Sequence, residues 1–568
     1  MDIRRTLLWM IFSFSLLLLW NNWQTHQGKP SMFAGTGQSQ TREEAPATTA
    51  GTGSGDASVP STPAVAAAPA AGAPGDVAQV PGVAGDDRPA SEIITADTQR
   101  FSLGFDTLGA QLIKVELHDY TAPGTPDEPM VLLDRNAHYT YVAQSGVVGA
   151  PAGRNWPTHL SPFELVANGR SADGKTRNIV FQAESDGLRV TKTFAVNDEE
   201  YIVRVSHALT NLGDEPVSPA IYLQLTRDDS DPGEASTFYR TFTGPALYSE
   251  QDKYQKVKFS DVDKGKARYT QQADNGWIGM VQHYFASAWV PGQGEQRTNE
   301  VLRLDEHLYA IRAIQHLGAI AAGDSLTTEA RLWVGPQDQK AMSALAPGLE
   351  LVVDYGWLTI IAKPVFKLMT WIHSMIGNWG WTIVVLTLLI KAVFYPLSAA
   401  SYRSMAKMKL VGPRLKNLRE QYGDDRAKLN AAMMEMYRTE KINPLGGCLP
   451  MLVQIPVFIA LYWVLLGSVE MRGAPWVGWI TDLSVRDPWF ILPAFMMATM
   501  FLQIKLNPTP PDPMQARIMM VMPLVFGGMM FFFPAGLVLY WCVNNAISII
   551  QQRYIMHRID KEAAAAKA

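Results

Sequence analysis

The most prominent pattern in the chain is a series of long apolar stretches after Gly356. They contain few charged residues, and Lys391 is the charge that lies well inside one of them. The uncharged run between Arg517 and Arg553 is too long for one crossing at about 20 residues per helix, and Pro534 interrupts it. The pattern therefore predicts five membrane-spanning helices, at 379–402, 446–469, 489–506, 517–533 and 535–552.

Before these stretches, apolar and polar positions alternate. Two examples are Ile113-Lys114-Val115-Glu116-Leu117 and Val203-Arg204-Val205-Ser206-His207-Ala208-Leu209, and turn-forming residues separate such segments. A period of two places one face on a core and the other in water, as in antiparallel sheets. Residues 91–350 are therefore predicted to form a large all-β sandwich.

The first 90 residues contain two further segments. An arginine pair precedes an apolar stretch that lacks the small residues of a signal-peptide cleavage site, so 1–23 are predicted to be an uncleaved membrane anchor. Residues 24–90 are dominated by Ala, Gly, Pro, Ser and Thr, a composition that cannot build a core. They are predicted to be a disordered linker.

Two segments beside the apolar stretches have amphipathic patterns. Residues 351–378 place Lys363 and Lys367 on one helical face, which predicts an interfacial helix. Residues 403–445 are predicted to form a helical hairpin, and Asp424-Asp425 would favour the start of its second helix through the helix dipole. Its methionine-rich face either packs the two helices together or offers partners an adaptable surface. That face comprises Met405, Met408, Leu415, Leu429, Met433 and Met436.

Charge divides the chain between two compartments. Acidic residues outnumber basic ones between Gln24 and Gly356, and the reverse holds for the rest. The loop 403–445 is basic and the loop 470–488 is not, so the positive-inside rule places the first in the cytoplasm and the second outside. Together with the anchor, this predicts six spans and an external sandwich. The termini, the loop 507–516 and the tail 553–568 would be cytoplasmic.

Lys391 is the most informative single residue. A charge inside an apolar span costs about 2.5 to 3.5 kcal/mol on insertion scales, which implies a use. The side chain either extends to the cytoplasmic edge or points into a water-containing space among the helices. Gln454 in the third span, and Asn544, Asn545 and Ser548 in the sixth, either line that space or simply join helices by hydrogen bonds. Because the spans lack acidic residues, such a cavity would be positive and suited to a polar or acidic segment.

Signatures of enzymes and metal sites are missing from the sequence. There is no Gly-x-Ser-x-Gly, His-Glu-x-x-His or Walker loop, and Ser404-Met405-Ala406-Lys407 matches Ser-x-x-Lys without its companion motifs. Cys448 and Cys542 each lie in an apolar run, a setting that disfavours a disulfide or a zinc site. We therefore expect no catalytic residue, no metal and no cofactor.

A series of short motifs runs through the helical region. They are KAVFYPL at 391–397, SMAKM at 404–408, NPLGGC at 443–448, DPMQ at 512–515 and PAGLVLYW at 534–541. In order and spacing these motifs resemble the YidC family of membrane-protein insertases and chaperones. The resemblance is strong from Gly356 to Arg558 and covers the anchor, linker and β region by layout.

The resemblance implies a five-helix insertase core whose hydrophilic groove opens to the cytoplasm and lipid but is closed externally. Lys391 corresponds to the family's groove cation, which is arginine in some members. The positive charge is therefore retained, but the planar, forked hydrogen-bonding geometry of a guanidinium is not. Five positions would form the substrate groove, and one on the third span would contact substrate. They are Lys391, Gln454, Asn544, Tyr540 and Trp541 for the groove, and Phe458 for the third span.

The same resemblance implies a multi-pass α-helical protein of the bacterial inner membrane. Its external sandwich would be the family's large periplasmic domain, with a galactose-mutarotase-like supersandwich fold. The implied partners are nascent integral membrane proteins, the phospholipid bilayer, and the Sec translocon with its SecD, SecF and YajC components. The tail after Arg558 is short and mildly basic, so at most a weak contact with the ribosome is expected, and no direct contact with nucleic acid.

The sequence is compatible with three functions. The leading hypothesis is an insertase and folding chaperone driven by hydrophobic partitioning of its substrate. The alternative is a membrane-anchored carbohydrate-binding or epimerising sandwich, although five spans and a buried lysine exceed what anchoring requires. A small-solute transporter would show repeated halves with broken helices, and the sequence has no such repeat.

Overall fold

A computed structural model describes residues 80–82, 91–122, 125–136, 139–232, 241–422, 425–440, 449–507 and 513–565. The predicted anchor at 1–23 and nearly all of the predicted linker at 24–90 lie outside the described residues. Asp424, Cys448 and the motif at 443–448 also lie outside them.

The first half of the described chain is built from β-strands in two antiparallel sheets of nine strands each. The strands are β1 Ile93–Asp97, β2 Phe101–Asp106, β3 Gln111–Ala122, β4 Thr125–Arg135, β5 Thr140–Val148, β6 Glu164–Arg170, β7 Thr176–Ser185, β8 Leu188–Asn197, β9 Ile202–Asn211, β10 Ala220–Asp228, β11 Gly244–Ser249, β12 Lys253–Lys256, β13 Gln272–Ala273, β14 Trp277–Val281, β15 Phe285–Val290, β16 Arg297–Asp305, β17 Leu308–His316 and β18 Ser325–Pro336. The first sheet has the order β1-β2-β3-β4-β5-β10-β17-β16-β13, and the second β12-β11-β14-β15-β18-β9-β8-β7-β6.

The two sheets bury a shared core between them, so the predicted all-β sandwich is confirmed. Phe105 of the first sheet contacts Phe194 and Phe181 of the second, with ring centroids 4.7 and 6.2 Å apart. Strands β8 and β9 show the alternation on which the prediction rests, because every second side chain of each is buried. Such a core of aromatic and branched side chains provides most of the driving force for folding.

Other strands are buried on both faces and do not alternate. In β15 every residue is buried, because its inner face meets the core and its outer face packs against residues such as Met342 and Leu345. In β10, Tyr222 is covered on the outer face by Val80 and His159. The outer face of the second sheet is therefore covered at β15 by the helix Gln339–Leu345 that follows the last strand.

Helices make up most of the second half. They are α1 Phe259–Asp263, α2 Gln339–Leu345, α3 Thr359–Ile376, α4 Trp379–Val393, α5 Tyr395–Leu410, α6 Gly412–Tyr422, α7 Arg426–Thr439, α8 Leu449–Gly467, α9 Ile491–Leu506, α10 Pro513–Met529 and α11 Ala535–Ala565. Short 3₁₀ turns lie at Leu349–Val352, Gly356–Leu358, Val469–Met471 and Met530–Phe532.

Helix α3 is amphipathic, with a buried face that repeats every three or four residues. Ala362, Phe366, Met369 and Ile372 form this face, which packs against α8 and α4. The helix ends at Gly377, whose φ of 72° favours glycine and whose backbone N–H donates to the His373 carbonyl at 2.7 Å. The following residue, Asn378, begins α4 by accepting a hydrogen bond from the Trp381 backbone N–H at 3.0 Å.

The predicted span at 379–402 consists of two helices joined by a sharp bend. Within the described residues, no single helix has both the length and the apolar character to cross a bilayer alone, but α4 and α5 as far as Met408 meet these criteria together across a 65° bend. The bend lies next to Pro396, which has no backbone N–H and cannot continue the hydrogen bonding of α4.

The segment between α8 and α9 joins three parts of the molecule. Its Val485 and Leu483 carbonyls accept hydrogen bonds from the Ala535 and Gly536 backbone N–H groups, at 2.7 and 2.9 Å, at the start of α11. Its Arg472 guanidinium donates to the Thr121 carbonyl of the sandwich at 2.7 Å. These bonds connect the helical region with the sandwich.

A second feature of this segment is the contact between Trp476 and α4. The Trp476 ring lies so close to Gly380 that a Cβ there would be 2.2 Å from Trp476 Cδ1. Glycine at position 380 therefore allows the segment to pack against α4.

The region 403–445 contains α6 and α7, with Asp425 at the start of α7. The Asp425 carboxylate accepts a hydrogen bond from the Lys428 backbone N–H at 3.1 Å and so caps the start of α7. Of the predicted methionine-rich face, Leu415 is buried, and Met405, Met408, Met433 and Met436 are partly buried.

Candidate functional site

Lys391 lies among the helices rather than at the surface. It occupies the last turn of α4, on the same face as Ile383 and Thr387, and only 6% of the residue is exposed. Its ammonium donates to the Ser548 hydroxyl oxygen at 2.7 Å and lies 3.5 Å from Gln454 Oε1. Among the described residues, these neutral oxygens are its hydrogen-bond acceptors, and no carboxylate forms an ion pair with it.

The acceptors of Lys391 are themselves held by further hydrogen bonds. Gln454 Nε2 donates to Asn544 Oδ1 at 2.5 Å, and the Ser548 hydroxyl donates to the Asn544 carbonyl at 2.7 Å. The Tyr402 hydroxyl of α5 donates to the Ser548 carbonyl at 3.4 Å. The cluster thus joins α4, α5, α8 and α11 through polar groups in an otherwise apolar region.

An aromatic cluster lies next to these polar groups. The Phe458 ring is 4.6 Å from the Trp541 ring and 6.0 Å from the Tyr540 ring, measured between centroids. Phe526 of α10 approaches Trp541 at 5.3 Å. Tyr540 is buried, whereas Phe458 and Trp541 are partly exposed.

Helical spacing explains why the polar and aromatic groups are adjacent. Gln454 and Phe458 are four residues apart on α8, and Tyr540, Asn544 and Ser548 are spaced by four on α11. Residues four apart lie on the same helix face, so each helix contributes one stripe. The structure therefore brings all six predicted site residues together, because Trp541 also contacts the α8 stripe through Phe458.

The sequence did not single out every residue of this cluster. The sequence does not indicate Tyr402 or Thr499, and it predicts Ser548 only as one of the residues that could line the space around Lys391. Thr499 of α9 contacts Asn545 Nδ2 at 3.4 Å, on another side of α11. A hydroxyl within an apolar helix is the signal that these residues share, but such groups commonly bond to their own helix and are hard to distinguish by sequence.

Outside the helical cluster, burial shifts the pKa values of Lys192 and Glu470 to about 7. Lys192 is fully buried in the sandwich, where its ammonium donates to the Gly109 and Ser145 carbonyls at 2.6 and 2.7 Å. Burial lowers the pKa of Lys192 to about 7. Glu470, between α8 and α9, has a pKa raised to about 7, chiefly by burial and further by the charge of Asp338.

A cavity of about 80 Å³ lies in the described part of the sandwich. Gln111, Gln144, His159 and Thr226 are among its lining residues. The His159 ring contacts the Tyr222 hydroxyl at 2.6 Å, and burial lowers its pKa to about 4. No group of three or more His, Cys, Asp or Glu side chains in the described regions is arranged to hold a metal ion.

Two family models match the chain in the regions just described. The model of the 60Kd inner membrane protein matches residues 371–562, and the model of the YidC periplasmic domain matches residues 93–368. The β-sandwich thus corresponds to the periplasmic domain, and the helical region with its polar cluster to the membrane part. Together they define the class of inner-membrane proteins with a periplasmic domain.

Full-length relatives identify the family. The chain is 66% identical to the membrane protein insertase YidC of Bordetella parapertussis and 50% identical to that of Cupriavidus necator, and each match covers 100% of both chains. The chain belongs to the YidC family of membrane protein insertases.

Solved structures are also similar. The crystal structure of an active YidC insertase with its first transmembrane domain resolved is 17% identical, covers 83% of this chain and 93% of its own, and has a TM-score of 0.37. A galactose mutarotase related enzyme from Lactobacillus acidophilus is 8% identical and covers 43% of this chain and 97% of its own, with a TM-score of 0.28. The family assignment depends on the sequence matches, and the galactose-mutarotase-like fold stays a prediction.

Proposed function

We propose that the chain inserts integral membrane proteins into the bacterial inner membrane and assists their folding, by holding a polar substrate segment in the groove around Lys391. The observation that carries this proposal is a buried ammonium whose acceptors in the described structure are neutral oxygens. A buried charge without a counter-ion is costly, so an incoming segment that supplies negative or carbonyl oxygens is favoured.

The remaining groove residues have distinct roles in this proposal. Gln454 and Asn544 offer amide groups to the polar segment of the substrate, and Phe458, Tyr540 and Trp541 contact its apolar segment. The partly exposed rings of Phe458 and Trp541 support this role, because aromatic faces bind apolar chains of varied sequence. The apolar segment then leaves sideways into lipid, where its transfer from water is favourable by about 25 cal/mol per Å².

The proposed mechanism requires no chemical catalysis and no cofactor. Partitioning of the substrate's apolar helix into lipid supplies the driving force, and the groove lowers the barrier for moving a short polar tail. A charge that crosses hydrocarbon without help costs several kcal/mol, which is the barrier that a polar, positive groove would reduce.

The proposed topology has six spans with both termini in the cytoplasm. The sandwich and the segment 470–488 are then periplasmic, and the region 403–445 is cytoplasmic and receives the substrate. We further propose that the chain works alone or with the Sec translocon and its SecD, SecF and YajC components. The basic charge of 403–445 supports its cytoplasmic placement.

The carbohydrate alternative has weaker support. The cavity on the sandwich, at about 80 Å³, is small beside the roughly 300 to 1,000 Å³ of typical ligand pockets. The imidazole of His159, which lines this cavity, already contacts the Tyr222 hydroxyl and the Gly82 carbonyl through its two ring nitrogens. Deleting the sandwich separates the two functions: loss of insertion together with silent Lys391 substitutions would contradict the groove mechanism.

The insertion experiment uses vesicles that contain the purified chain and a single-span client with a short acidic external tail. We expect Lys391→Ala to slow insertion and Lys391→Glu to slow it more, because Glu repels the tail. Lys505→Ala is the matched control, since Lys505 is an exposed lysine near the end of α9. Equal insertion by all four proteins would refute a role for the ammonium with this client.

A further inference from the structure

We propose that Ser548 is a positioning residue that holds the Lys391 ammonium inside the groove. This inference rests on the proposed function and adds a specific role for Ser548, which is not among the five residues assigned to the groove. The 2.7 Å contact between Lys391 Nζ and Ser548 Oγ is the shortest that the ammonium makes in the described structure.

Ser548 can act toward Lys391 only as a hydrogen-bond acceptor. A serine hydroxyl has a single proton, and Ser548 donates it to the Asn544 carbonyl one turn earlier, at 2.7 Å. Its oxygen lone pairs are therefore free to accept, and the ammonium carries only donors. The bond within α11 thus turns Ser548 into an obligatory acceptor for Lys391.

Gln454 is a weaker support for the same ammonium. Its Oε1 lies 3.5 Å from Lys391 Nζ, at the limit of a hydrogen bond. Its amide nitrogen is engaged with Asn544 Oδ1 at 2.5 Å, which orients Oε1 toward the ammonium but does not bring it closer. Ser548 is consequently the acceptor whose loss would most weaken the position of the ammonium.

Burial determines where the ammonium would go without Ser548. Lys391 and Ser548 are 6% and 4% exposed, so little water is available to replace the hydroxyl. A lysine stem is long and flexible, and near a helix end it extends toward the polar edge when it lacks an internal partner. Removing the hydroxyl therefore moves the charge toward the cytoplasmic end of α4 and out of the groove.

The first test is a double-mutant cycle on the insertion rate of the acidic-tail client. Ser548→Ala is expected to slow insertion about tenfold, the effect of losing one hydrogen bond to a charged group. Ser548→Thr keeps the hydroxyl and should insert at nearly the wild-type rate. In a Lys391→Ala background, Ser548→Ala should cause no further loss, because Ser548 acts through Lys391.

The control variant is Thr382→Val. Thr382 is also fully buried, and its hydroxyl donates to the Asn378 carbonyl at 2.8 Å, four residues earlier on α4. This variant removes a similar hydroxyl far along the helix from Lys391 and should leave the rate unchanged. Ser548→Cys, with a weakly accepting sulfur, replaces Ser548→Ala if the alanine variant does not fold.

The second test measures the position of the ammonium directly, with a readout that a merely structural role would not change. A membrane-impermeant amine reagent is added from the cytoplasmic side, and labelling of Lys391 is followed by peptide mass spectrometry. Ser548→Ala should label several times faster than the wild type, and Ser548→Thr at the wild-type rate. Unchanged labelling in Ser548→Ala would overturn the positioning role. The role would also be overturned if Ser548→Ala slowed insertion by the same factor with Lys391 present and in the Lys391→Ala background.

The two tests separate this inference from the proposed function. If Lys391→Ala inserts the client normally while Ser548→Ala accelerates labelling, the positioning role stands and the function of the cation fails. If Lys391→Ala slows insertion while Ser548→Ala alters neither rate, the proposed function stands and the positioning role fails.

Discussion

The buried Lys192 predicts a steep dependence of stability on pH in the sandwich. Burial lowers its pKa to about 7, from 10.5 for a free lysine, because the ammonium is shielded from water. Between these values the unfolded chain binds the proton and the folded chain does not, so the free energy of unfolding rises with pH. Below pH 7 both states are protonated, and this contribution to stability is lost.

The size of the effect follows from the pKa shift. One group that titrates only in the unfolded state contributes up to about 1.4 kcal/mol per pH unit. Between about pH 7.5 and pH 9.5 this amounts to roughly 2 to 3 kcal/mol, or about 30- to 100-fold in the unfolding equilibrium. Lys192→Met keeps the length of the side chain and removes the titrating group, so it should abolish this part of the pH dependence.

Hydrogen exchange of the β8 and β9 amides measures the difference in the full chain in detergent. At each pH, the ratio of wild-type to variant exchange rates gives the difference in unfolding free energy, because the intrinsic rates cancel. We expect the ratio to fall 30- to 100-fold across that range. Lys175→Met is the matched control, since 64% of the Lys175 side chain is exposed, and its ratio should stay constant. A constant ratio for Lys192→Met would refute the conclusion that the buried amine is neutral.

Two further substitutions test other parts of the structure. Gly380→Ala places a Cβ 2.2 Å from the Trp476 ring and should lower the melting temperature, at a cost of about 1 to 3 kcal/mol in unfolding free energy. The control is Gly528→Ala, whose Cβ meets no atom within 4 Å and which should leave the melting temperature unchanged. Equal melting temperatures of the two variants in detergent would contradict the close packing of Trp476 on Gly380. Glu470→Gln should match the wild type near pH 4.5 and become the more stable of the two as pH rises through 7, because the raised pKa of Glu470 gives stability that is lost on ionisation. A constant difference between their melting temperatures at these pH values would count against burial of the carboxylate.

Part of the fold follows from sequence periodicity alone. Strands β8 and β9 have one face in the core and one toward solvent, and their alternating residues predict them directly. Strands β10 and β15 do not alternate, because both of their faces are covered. Their order within the sheets also depends on long-range pairing, such as that of β10 with β5 and β17, which local patterns do not encode.

The candidate site is predictable to a similar extent. Lys391 stands out because it is a charge within an apolar run, and the four-residue spacing of Tyr540, Asn544 and Ser548 places them on one helix face. Which hydroxyl meets the ammonium depends on how α4 and α11 are rotated against each other. The sequence therefore predicts most residues of the candidate site, while the short contact between Lys391 and Ser548 emerges only from the packed helices.

In the proposed mechanism the Lys391 charge compensates polar oxygens of the substrate, and exchanging the charges is the sharpest test of that contact. Insertion is measured for two clients that differ only in a short external tail, one acidic and one basic, in vesicles with wild-type chain or Lys391→Glu. We expect the wild type to favour the acidic tail and Lys391→Glu to reverse that preference. If both proteins insert the two clients in the same ratio, the charge at position 391 does not contact the tail and the groove mechanism is wrong.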